Sequence, residues 1–342
     1  MIDLKDLEYH ELQTFLTEQG EPKFRAKQIF SWLYKGVEHF SEMTNLSKQT
    51  RERLEQVCFV STLKIRKKLV SEIDGTVKYL FELEDGNCIE SVVMRYKHGL
   101  SICISSQVGC RMGCNFCAST IGGRLRNLTT GEIINQIIFA QKDLGERISN
   151  VVMMGIGEPL DNYENVVRFL KNVNHPEGLG IGYRHISLST CGLVDKIRQL
   201  AEEDFPITLS VSLHAPNNEI RNSMMPVNQK YPVEELLAAC RDYLEKTGRR
   251  ISFEYALIHG VNDRDRDARE LAQRLRGMLC HINLIPVNPV KERNYQKGTE
   301  QEIRRFQKLL TDLGMNATVR RELGSDISAS CGQLRKQSME EA

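Results

Sequence analysis

The sequence lacks the features of a membrane or secreted protein. None of its apolar stretches reaches the roughly 18 residues that a membrane-spanning helix needs. The N-terminal stretch MIDLKDLEYHELQTFLTEQG is acidic and amphipathic, without the basic start of a signal peptide. The formal net charge is only +1, so whole-chain electrostatics neither requires nor excludes a nucleic-acid partner. We therefore expect a cytoplasmic protein with no membrane partner.

Cysteine, by contrast, is plentiful, and three of the ten cysteines lie close together. Cys110, Cys114 and Cys117 fall within the segment GCRMGCNFCAST, and no fourth cysteine follows nearby. Zinc and iron–sulfur sites normally have four ligands. No further CxxC pair or HxxxH follows to complete a zinc site, which disfavours zinc. A cluster held by three cysteines instead leaves one iron open to bind a substrate or cofactor.

The hydrophobic periodicity changes twice along the chain. Residues 4–57 predict three helices, the last capped by Ser47. Residues 61–106 alternate between apolar and polar and are divided by DGT, DGN and KHG turns, which predicts a β-meander. From about residue 100, six near-continuous apolar strands each lead through a loop to a helix, which is typical of a parallel sheet buried on both faces. Six units are too few for a closed eight-stranded barrel, so we predict an open, partial β/α barrel.

This pattern divides the chain into four segments. They are a helical accessory module (1–60), a β-meander linking region (61–98), the partial barrel (99–323) and a C-terminal segment (324–342). Basic clusters occur at residues 64–68, 123–127, 247–250 and 319–321, and most such clusters are solvated faces. Arg25 and Lys27 of the accessory module are the better candidates for phosphate contacts there.

Polar groups and glycines stand where four of the predicted strands end. MGIGEPLDN follows the second strand, and its glycines allow close approach of the backbone to a ligand. STCG, SLHAP and IPVNP end the third, fourth and sixth strands and supply hydroxyl, imidazole and amide groups. Such residues are poor core material, and ligand sites of barrels lie at this end of the strands.

The cysteine spacing, with an aromatic residue before the last cysteine, resembles that of the radical S-adenosylmethionine (SAM) enzymes. More narrowly, FRAKQIFSWLY, CISSQVGCRMGCNFCAST, MGIGEPLDNYENV, SVSLHAPNNEIRNSMMPVN and ISASCGQL resemble the RlmN-type RNA adenine methyltransferases over nearly the whole chain. The resemblance implies one 4Fe–4S cluster on Cys110, Cys114 and Cys117, with the open iron chelating SAM. It also implies SAM contacts from Gly157, Glu158, Ser189, Ser212, Leu213, His214 and Asn288.

The resemblance further implies a substrate and a reaction. RlmN-type enzymes methylate carbon 2 of an adenine at the peptidyl-transferase centre of 23S ribosomal RNA, before full ribosome assembly, and an adenine beside the anticodon of some tRNAs. Two SAM molecules are used per methyl transferred, and an external donor such as flavodoxin or ferredoxin supplies electrons. The N-terminal helices and the basic 64–68 strand resemble the family's RNA-binding module.

Three further residues match functional positions of the family. Cys331 matches the methyl-carrying cysteine, and Cys103 matches the cysteine that releases the product by forming a disulfide. Glu90 matches a carboxylate that handles the proton at the substrate carbon. The remaining cysteines match no functional position; they are Cys58, Cys88, Cys191, Cys240 and Cys280. Of these, Cys240 lies on the apolar side of a predicted helix.

Three alternatives remain open at the level of sequence. A relative within the family methylates carbon 8 of the same adenine and confers antibiotic resistance, although Pro159 favours carbon 2. A radical SAM activating enzyme acting on protein shares the three-cysteine loop but leaves Cys103 and Cys331 without a function. A non-enzymatic iron–sulfur or zinc module that binds RNA predicts metal without cleavage of SAM.

Overall fold

The computed structural model describes residues 1–334, so the last part of the C-terminal segment, 335–342, lies outside the described residues. The helices are α1 (Tyr9–Glu18), α2 (Phe24–Tyr34), α3 (Lys48–Glu55), α4 (Thr130–Leu144), α5 (Tyr163–Asn174), α6 (Val194–Ala201), α7 (Asn218–Met224), α8 (Val233–Thr247), α9 (Asp265–Leu275) and α10 (Glu300–Asp312). The strands are β1 (Ile2–Asp3), β2 (Cys58–Phe59), β3 (Lys64–Val70), β4 (Val77–Glu82), β5 (Cys88–Tyr96), β6 (Gly99–Cys103), β7 (Gln107–Gly109), β8 (Arg124–Asn127), β9 (Ile148–Met153), β10 (Ile186–Thr190), β11 (Thr208–Ser212), β12 (Ile251–Leu257), β13 (Cys280–Pro286) and β14 (Ala317–Val319).

Ten of these strands form one continuous sheet in the order β14-β13-β12-β11-β10-β9-β6-β5-β4-β3. From β6 to β14 all neighbours are parallel, and from β3 to β6 they are antiparallel. The strand β6 therefore belongs to both the meander and the barrel. The sheet keeps two free edges, β3 and β14, so the predicted open β/α architecture is confirmed.

The six predicted β/α units are all present, because each combines a buried apolar strand with an amphipathic helix. The helix α4 begins with a capping box between Thr129 and Glu132 and ends at Gly145, whose φ of 65° suits glycine. The capping box predicted for α10, between Thr299 and Glu302, is also confirmed. The strand β14 was not predicted, since three residues are too few to show a periodicity.

The N-terminal helices form where the sequence predicts them and are tied to the barrel. Ser47 caps α3 by accepting a hydrogen bond from the backbone N–H of Thr50. The fully buried ammonium group of Lys5 donates to the carbonyl of Ser61 at 2.9 Å and to Oδ1 of Asn135, on α4, at 2.7 Å. These bonds fix the N-terminal module against the first barrel helix.

The segment that follows β14 crosses back over the sheet. Asp326 accepts a hydrogen bond from the hydroxyl of Ser71, in the turn between β3 and β4. The carbonyl of Gly332 accepts from the backbone N–H of Ala118, and the hydroxyl of Ser119 donates to the carbonyl of Leu334. The segment is thereby held between the meander and the cysteine loop. None of the helices within residues 1–334 is long and apolar enough to cross a bilayer.

Candidate active site

A cavity of about 150 Å³ lies at the carboxyl ends of the parallel strands. It brings together nine residues that the sequence assigns to the cluster or to SAM: Cys110, Cys114, Cys117, Gly157, Glu158, Ser189, Ser212, His214 and Asn288. These residues come from five loops or strand ends, and they can line one cavity only because the sheet curves. We call this space the strand-end cavity.

Leu213 is the one predicted SAM contact whose side chain does not line this cavity. Consecutive side chains of an extended segment point to opposite faces, so Ser212 faces the cavity and Leu213 faces the core, where it is fully buried. Its carbonyl accepts a hydrogen bond from Nε of Arg221 at 3.1 Å. A contact between Leu213 and a ligand would therefore have to use the backbone.

The cysteine loop is held by a small hairpin and by neighbouring loops. The strands β7 and β8 pair antiparallel on either side of it. At Gly109, with a φ of 77°, an added Cβ would lie only 2.0 Å from the carbonyl oxygen of Gly123, so the crossing requires glycine. The backbone N–H of Asn115 donates to the carbonyl of Met224, which fixes the middle of the loop. Three thiols thus share one wall of the cavity.

The arrangement of these thiols can be tested against the kind of metal group they would hold. Within residues 1–334, no group of three or more His, Cys, Asp or Glu side chains converges as the ligands of a single metal ion. A zinc ion needs its thiolates at about 2.3 Å. The cysteines of a 4Fe–4S cluster bind separate irons and are spread farther apart. Three thiols of one loop that line the same cavity therefore fit a cluster with one free iron.

Gly157 and Glu158 form a rigid corner of the strand-end cavity. Gly157 has a φ of 108°, and a Cβ there would lie 2.8 Å from the backbone nitrogen of Gln107. The buried Glu158 carboxylate accepts backbone N–H bonds from Cys191 at 2.7 Å and Leu160 at 3.1 Å. Burial raises the pKa of Glu158, which these hydrogen bonds partly offset. The corner places a fixed hydrogen-bond acceptor beside the cysteine loop.

His214 presents a neutral imidazole to the cavity. Its Nδ1 accepts a hydrogen bond from the backbone N–H of Ala256 at 2.8 Å, so the proton of the neutral ring is on Nε2. Burial, and next the charge of Arg221, lowers the pKa of His214 to about 3. The residue has a φ of 57°, and its carbonyl accepts from the amide of Asn262 at 2.7 Å. His214 is thus a held hydrogen-bond donor.

A second cavity, of about 380 Å³, adjoins the first. Met154, Ile285, Asn288 and Cys331 line both spaces, and Cys103 lines only the second, which we call the thiol cavity. The amide of Asn288 donates to the carbonyl of Cys331 at 2.9 Å, which fixes the backbone there. Cys331 therefore stands where the two cavities meet.

The pKa of Cys103 depends on burial and on the charges near its thiol. Burial, and next the neighbouring Cys331, raises the pKa of Cys103 to about 12, while Arg320 acts in the opposite direction. All ten cysteines are free thiols, so Cys103 and Cys331 are reduced in this structure. A disulfide between them is a step that the family resemblance implies and is not a feature of this state.

Arg320 is a residue of this site that the sequence did not reveal. Its side chain lines the thiol cavity, with Nη1 3.2 Å from Sδ of Met154. The nearby Cys331, and also Glu254 and Cys103, raise the pKa of the guanidinium. The sequence showed only a basic cluster at 319–321, since β14 was too short to predict and Arg320 could not be placed at a strand end.

Arg221 is a second unpredicted residue and braces the strand ends. It is fully buried, and its guanidinium donates to the carbonyls of Leu213, Cys191 and Ser212 and to Oδ1 of Asn228. These bonds join the ends of β10 and β11. Arg221 lies within the segment SVSLHAPNNEIRNSMMPVN, but the segment does not show its role, because its partners are mostly backbone carbonyls from separate strands.

Glu90 lies beside the thiol cavity without lining it. Val92 and Met94, which lie on the same strand β5, line that cavity. Because every second side chain of a strand points to the same face, Glu90 lies on the face of these two residues. Oε1 of Glu90 is 2.7 Å from Nζ of Lys78, which also donates to the carbonyl of Ser328 at 3.1 Å. The buried ion pair thus joins the meander to the segment that carries Cys331.

The remaining cysteines differ in their surroundings. Cys191 is buried and lines the strand-end cavity, next to Glu158. Cys240 is fully buried in the main core, as its position on the apolar side of α8 predicts. Cys58 and Cys88 are also buried, and Cys280 is half-buried.

Two family models match the chain. The model of the Radical SAM superfamily matches residues 104–272, which contain the cysteine loop and most of the barrel strands. The model of the ribosomal RNA large subunit methyltransferase N-terminal domain matches residues 2–60.

Similarity to known proteins extends over the full chain. The probable dual-specificity RNA methyltransferase RlmN of Alkaliphilus oremlandii is 59% identical over 339 residues, covering 99% of both chains. The protein of the same name from Thermoanaerobacter pseudethanolicus is 52% identical over 342 residues, covering both chains completely. The crystal structure of a radical SAM methyltransferase from Sphaerobacter thermophilus superposes with a TM-score of 0.93 at 44% identity, over 98% of this chain and 99% of that one. The chain therefore belongs to the RlmN family of dual-specificity RNA methyltransferases, within the Radical SAM superfamily.

Proposed function

We propose that this protein methylates carbon 2 of an adenine in 23S ribosomal RNA, and of an adenine beside the anticodon in tRNA, through a methylated cysteine. The observation that carries the proposal is the position of Cys331, which faces the strand-end cavity on one side and the thiol cavity with Cys103 on the other. A carrier between a methyl donor and an acceptor has to reach both.

The residues of the strand-end cavity would hold the cofactors. Cys110, Cys114 and Cys117 would bind a 4Fe–4S cluster, and Glu158 and His214 offer an acceptor and a donor to SAM. A cluster bound there and reduced by flavodoxin or ferredoxin would supply the electron that cleaves SAM to a carbon radical. Two SAM molecules are consumed, one for the methyl group and one for the radical.

Carbon 2 of adenine explains why a carrier thiol is needed. It lies between two ring nitrogens and is electron-poor, so it cannot displace the methyl group from SAM. Cys331 would instead accept that methyl as a thiolate, give one hydrogen of the methyl group to the radical and add the carbon to the base. The adduct would then return one electron to the oxidised cluster and release the proton of carbon 2. The thiolate of Cys103 would then attack the sulfur of Cys331, which forms a disulfide and breaks the sulfur–carbon bond. The electron pair left on the transferred carbon takes up a proton, which completes the methyl group. The methyl carbon stays on the base.

The charged groups around the thiol cavity support these steps. Since burial raises the pKa of Cys103 to about 12, its thiolate needs a nearby cation. Arg320 lies in the same cavity and supplies that charge to both thiols. Glu90, with Lys78 beside it, is the carboxylate that takes the proton from the substrate carbon.

Product analysis tests the proposed function. The anaerobically reconstituted protein, given SAM, a reductant and 23S rRNA from cells lacking this activity, is expected to form 2-methyladenosine. Nuclease digestion and mass spectrometry distinguish it from 8-methyladenosine by retention time. Formation of the carbon 8 isomer, or of no methylated adenosine, with this RNA and with tRNA from the same cells, would contradict the proposal.

The accessory module and the edge strand β3 would bind the RNA. Arg25 and Lys27, the phosphate candidates of the sequence, are occupied by ion pairs with Glu21 and Glu177. On β3, Arg66 and Lys68 pair with acidic neighbours, whereas Lys64 and Lys67 are exposed and form no ion pair with residues 1–334. These two lysines are the better phosphate contacts.

Replacing Lys64 and Lys67 together by glutamine is expected to weaken RNA binding and to lower the slope of log affinity against log salt by about 1.4–1.8, because two fewer phosphate contacts release counterions. Filter binding at several salt concentrations measures this. Replacing Lys246 and Lys308, exposed and ion-paired on α8 and α10, is the control and should leave the slope unchanged. An unchanged slope in the β3 variant would assign its lysines to another role.

The depth of the site also bears on the form of the substrate. An adenine can reach the thiol cavity only after it leaves its stack in folded RNA, at a cost of a few kcal/mol. We infer that 23S rRNA is bound before the ribosome is fully assembled, in the cytoplasm, while the target region is still open.

A further inference from the structure

The turn between β5 and β6 carries two stacked rings at the edge of the thiol cavity. Tyr96 is the last residue of β5, and its side chain lines that cavity together with Cys103 and Cys331. The two-residue turn Lys97–His98 follows, closed by Gly99 with a φ of 115°. The rings of Tyr96 and His98 are nearly parallel, at 10°, with centroids 5.1 Å apart. The inner ring is half-buried and the outer ring is exposed.

The ring of Tyr96 is fixed, and two cations on the rim of the thiol cavity are already paired. The hydroxyl of Tyr96 donates to Sδ of Met94 at 3.6 Å, which holds the ring against the cavity wall. On the cavity's rim, Lys297 pairs with Glu322 and Arg304 with Glu300.

Two other cations at this end of the site are unpaired. Arg321, which also lines the thiol cavity, and Lys97, in the turn, are exposed and form no ion pair with any residue of the described chain, 1–334. The net positive charge near the cavity is therefore concentrated on the side of the stacked rings, where it can attract phosphate.

The stacked rings of Tyr96 and His98 can replace a stacking partner that RNA loses when a base is extruded. When the target adenine enters the thiol cavity, the bases on either side of it lose a stacking partner. Aromatic side chains replace base stacking regardless of sequence, and lysine or arginine beside them contacts the backbone phosphates. A contact that accepts any neighbouring base suits an enzyme that acts on two RNAs of different sequence.

We propose that the stacked rings of Tyr96 and His98 bind the base adjacent to the target adenine, with Lys97 and Arg321 contacting the phosphates that flank it. This inference rests on the proposed function, since it assumes that an RNA adenine enters the thiol cavity. It adds a second RNA contact, separate from the accessory module and next to the reacting thiols.

A double-mutant cycle tests this site. His98→Ala is combined with a synthetic RNA hairpin that carries the target adenine and an abasic nucleotide on one or the other side of it. With the intact hairpin, His98→Ala should weaken binding roughly 5- to 150-fold, the effect expected for one lost stacked base. The ring-retaining His98→Phe should stay within about threefold of the native protein. His185→Ala, at an exposed histidine hydrogen-bonded to Asn150, is the matched control and should have no effect.

The cycle has a decisive pattern. Removing the stacked base should weaken binding to the native protein and have little further effect on His98→Ala. Purely additive losses on both sides of the adenine, or an unchanged affinity of His98→Ala, would overturn the inference. Failure of the proposed function would look different: the native protein would not transfer a methyl group to RNA at all. Methylation of Cys331 by SAM in the absence of RNA should be the same in every variant.

Discussion

Replacing Cys103 by alanine is expected to trap RNA on the protein. The change leaves Cys331 at the junction of the two cavities, so methyl transfer to its sulfur and addition to the base proceed. Release is blocked, because no second thiolate is placed to attack the sulfur of Cys331. The variant should yield less than about 1% of the native methylated product. It should also accumulate a slowly migrating protein band that ribonuclease shortens.

The variant Cys331→Ala distinguishes the thiol that carries the methyl group from the thiol that releases the product. Without the carrier, neither methylated RNA nor a trapped adduct can form, although both cavities keep their other residues. Cys280→Ala, at a half-buried cysteine that lines neither cavity, is the control and should turn over normally. Normal turnover of Cys103→Ala, or a trapped adduct in Cys331→Ala, would contradict the two-thiol mechanism.

Replacing Cys114 by alanine is expected to abolish cluster binding and with it all radical chemistry. A 4Fe–4S cluster that already lacks a fourth protein ligand would be left with two, which is too few to hold it. After anaerobic reconstitution, iron and sulfide should fall from about four each per chain to near zero. Production of deoxyadenosine from SAM should fall with them.

Cys191→Ala provides a matched control within the same cavity. Cys191 is as buried as Cys114, at 7% and 8% exposure, and lines the same space. It lies outside the three-cysteine loop. Alanine loses the hydrogen bond between the Cys191 thiol and Glu158 but keeps the backbone N–H bond to the same carboxylate. This variant should retain full iron content. Equal loss of iron in both variants, or stoichiometric zinc with unchanged activity, would refute the assignment of the three ligands.

The sequence predicted the fold well where a strand or helix is long enough to show a hydrophobic periodicity. The six strands of five to seven residues and their helices follow from apolar runs and caps. It could not predict β14, with three residues, nor that β6 joins the meander and the barrel into one sheet. The pairing of strands distant in the chain depends on tertiary packing, which a local pattern does not contain.

The candidate site was predictable where chemistry is local in sequence. The cysteine loop and the strand-end residues each form a motif within a few positions. Arg320 and Arg221 were missed, since their roles depend on partners from other strands: thiols and Glu254 for one, backbone carbonyls for the other. Leu213 was included because it belongs to a motif, and only the alternation along the chain shows that its side chain faces the core.

The docking of the C-terminal segment determines when a newly made chain can become reactive. The cysteine loop and the ends of β9 to β13 precede Cys331 in the chain and are therefore synthesised before it. Cys331 reaches its position only after residues 326, 332 and 334 bond to the meander and the cysteine loop. A prematurely terminated chain that ends before residue 324 would therefore keep the groups for radical formation but lack the carrier. Under the proposed function, the methyl-accepting thiol is the last of the catalytic residues to be synthesised, so a truncated product cannot form a covalent bond to RNA.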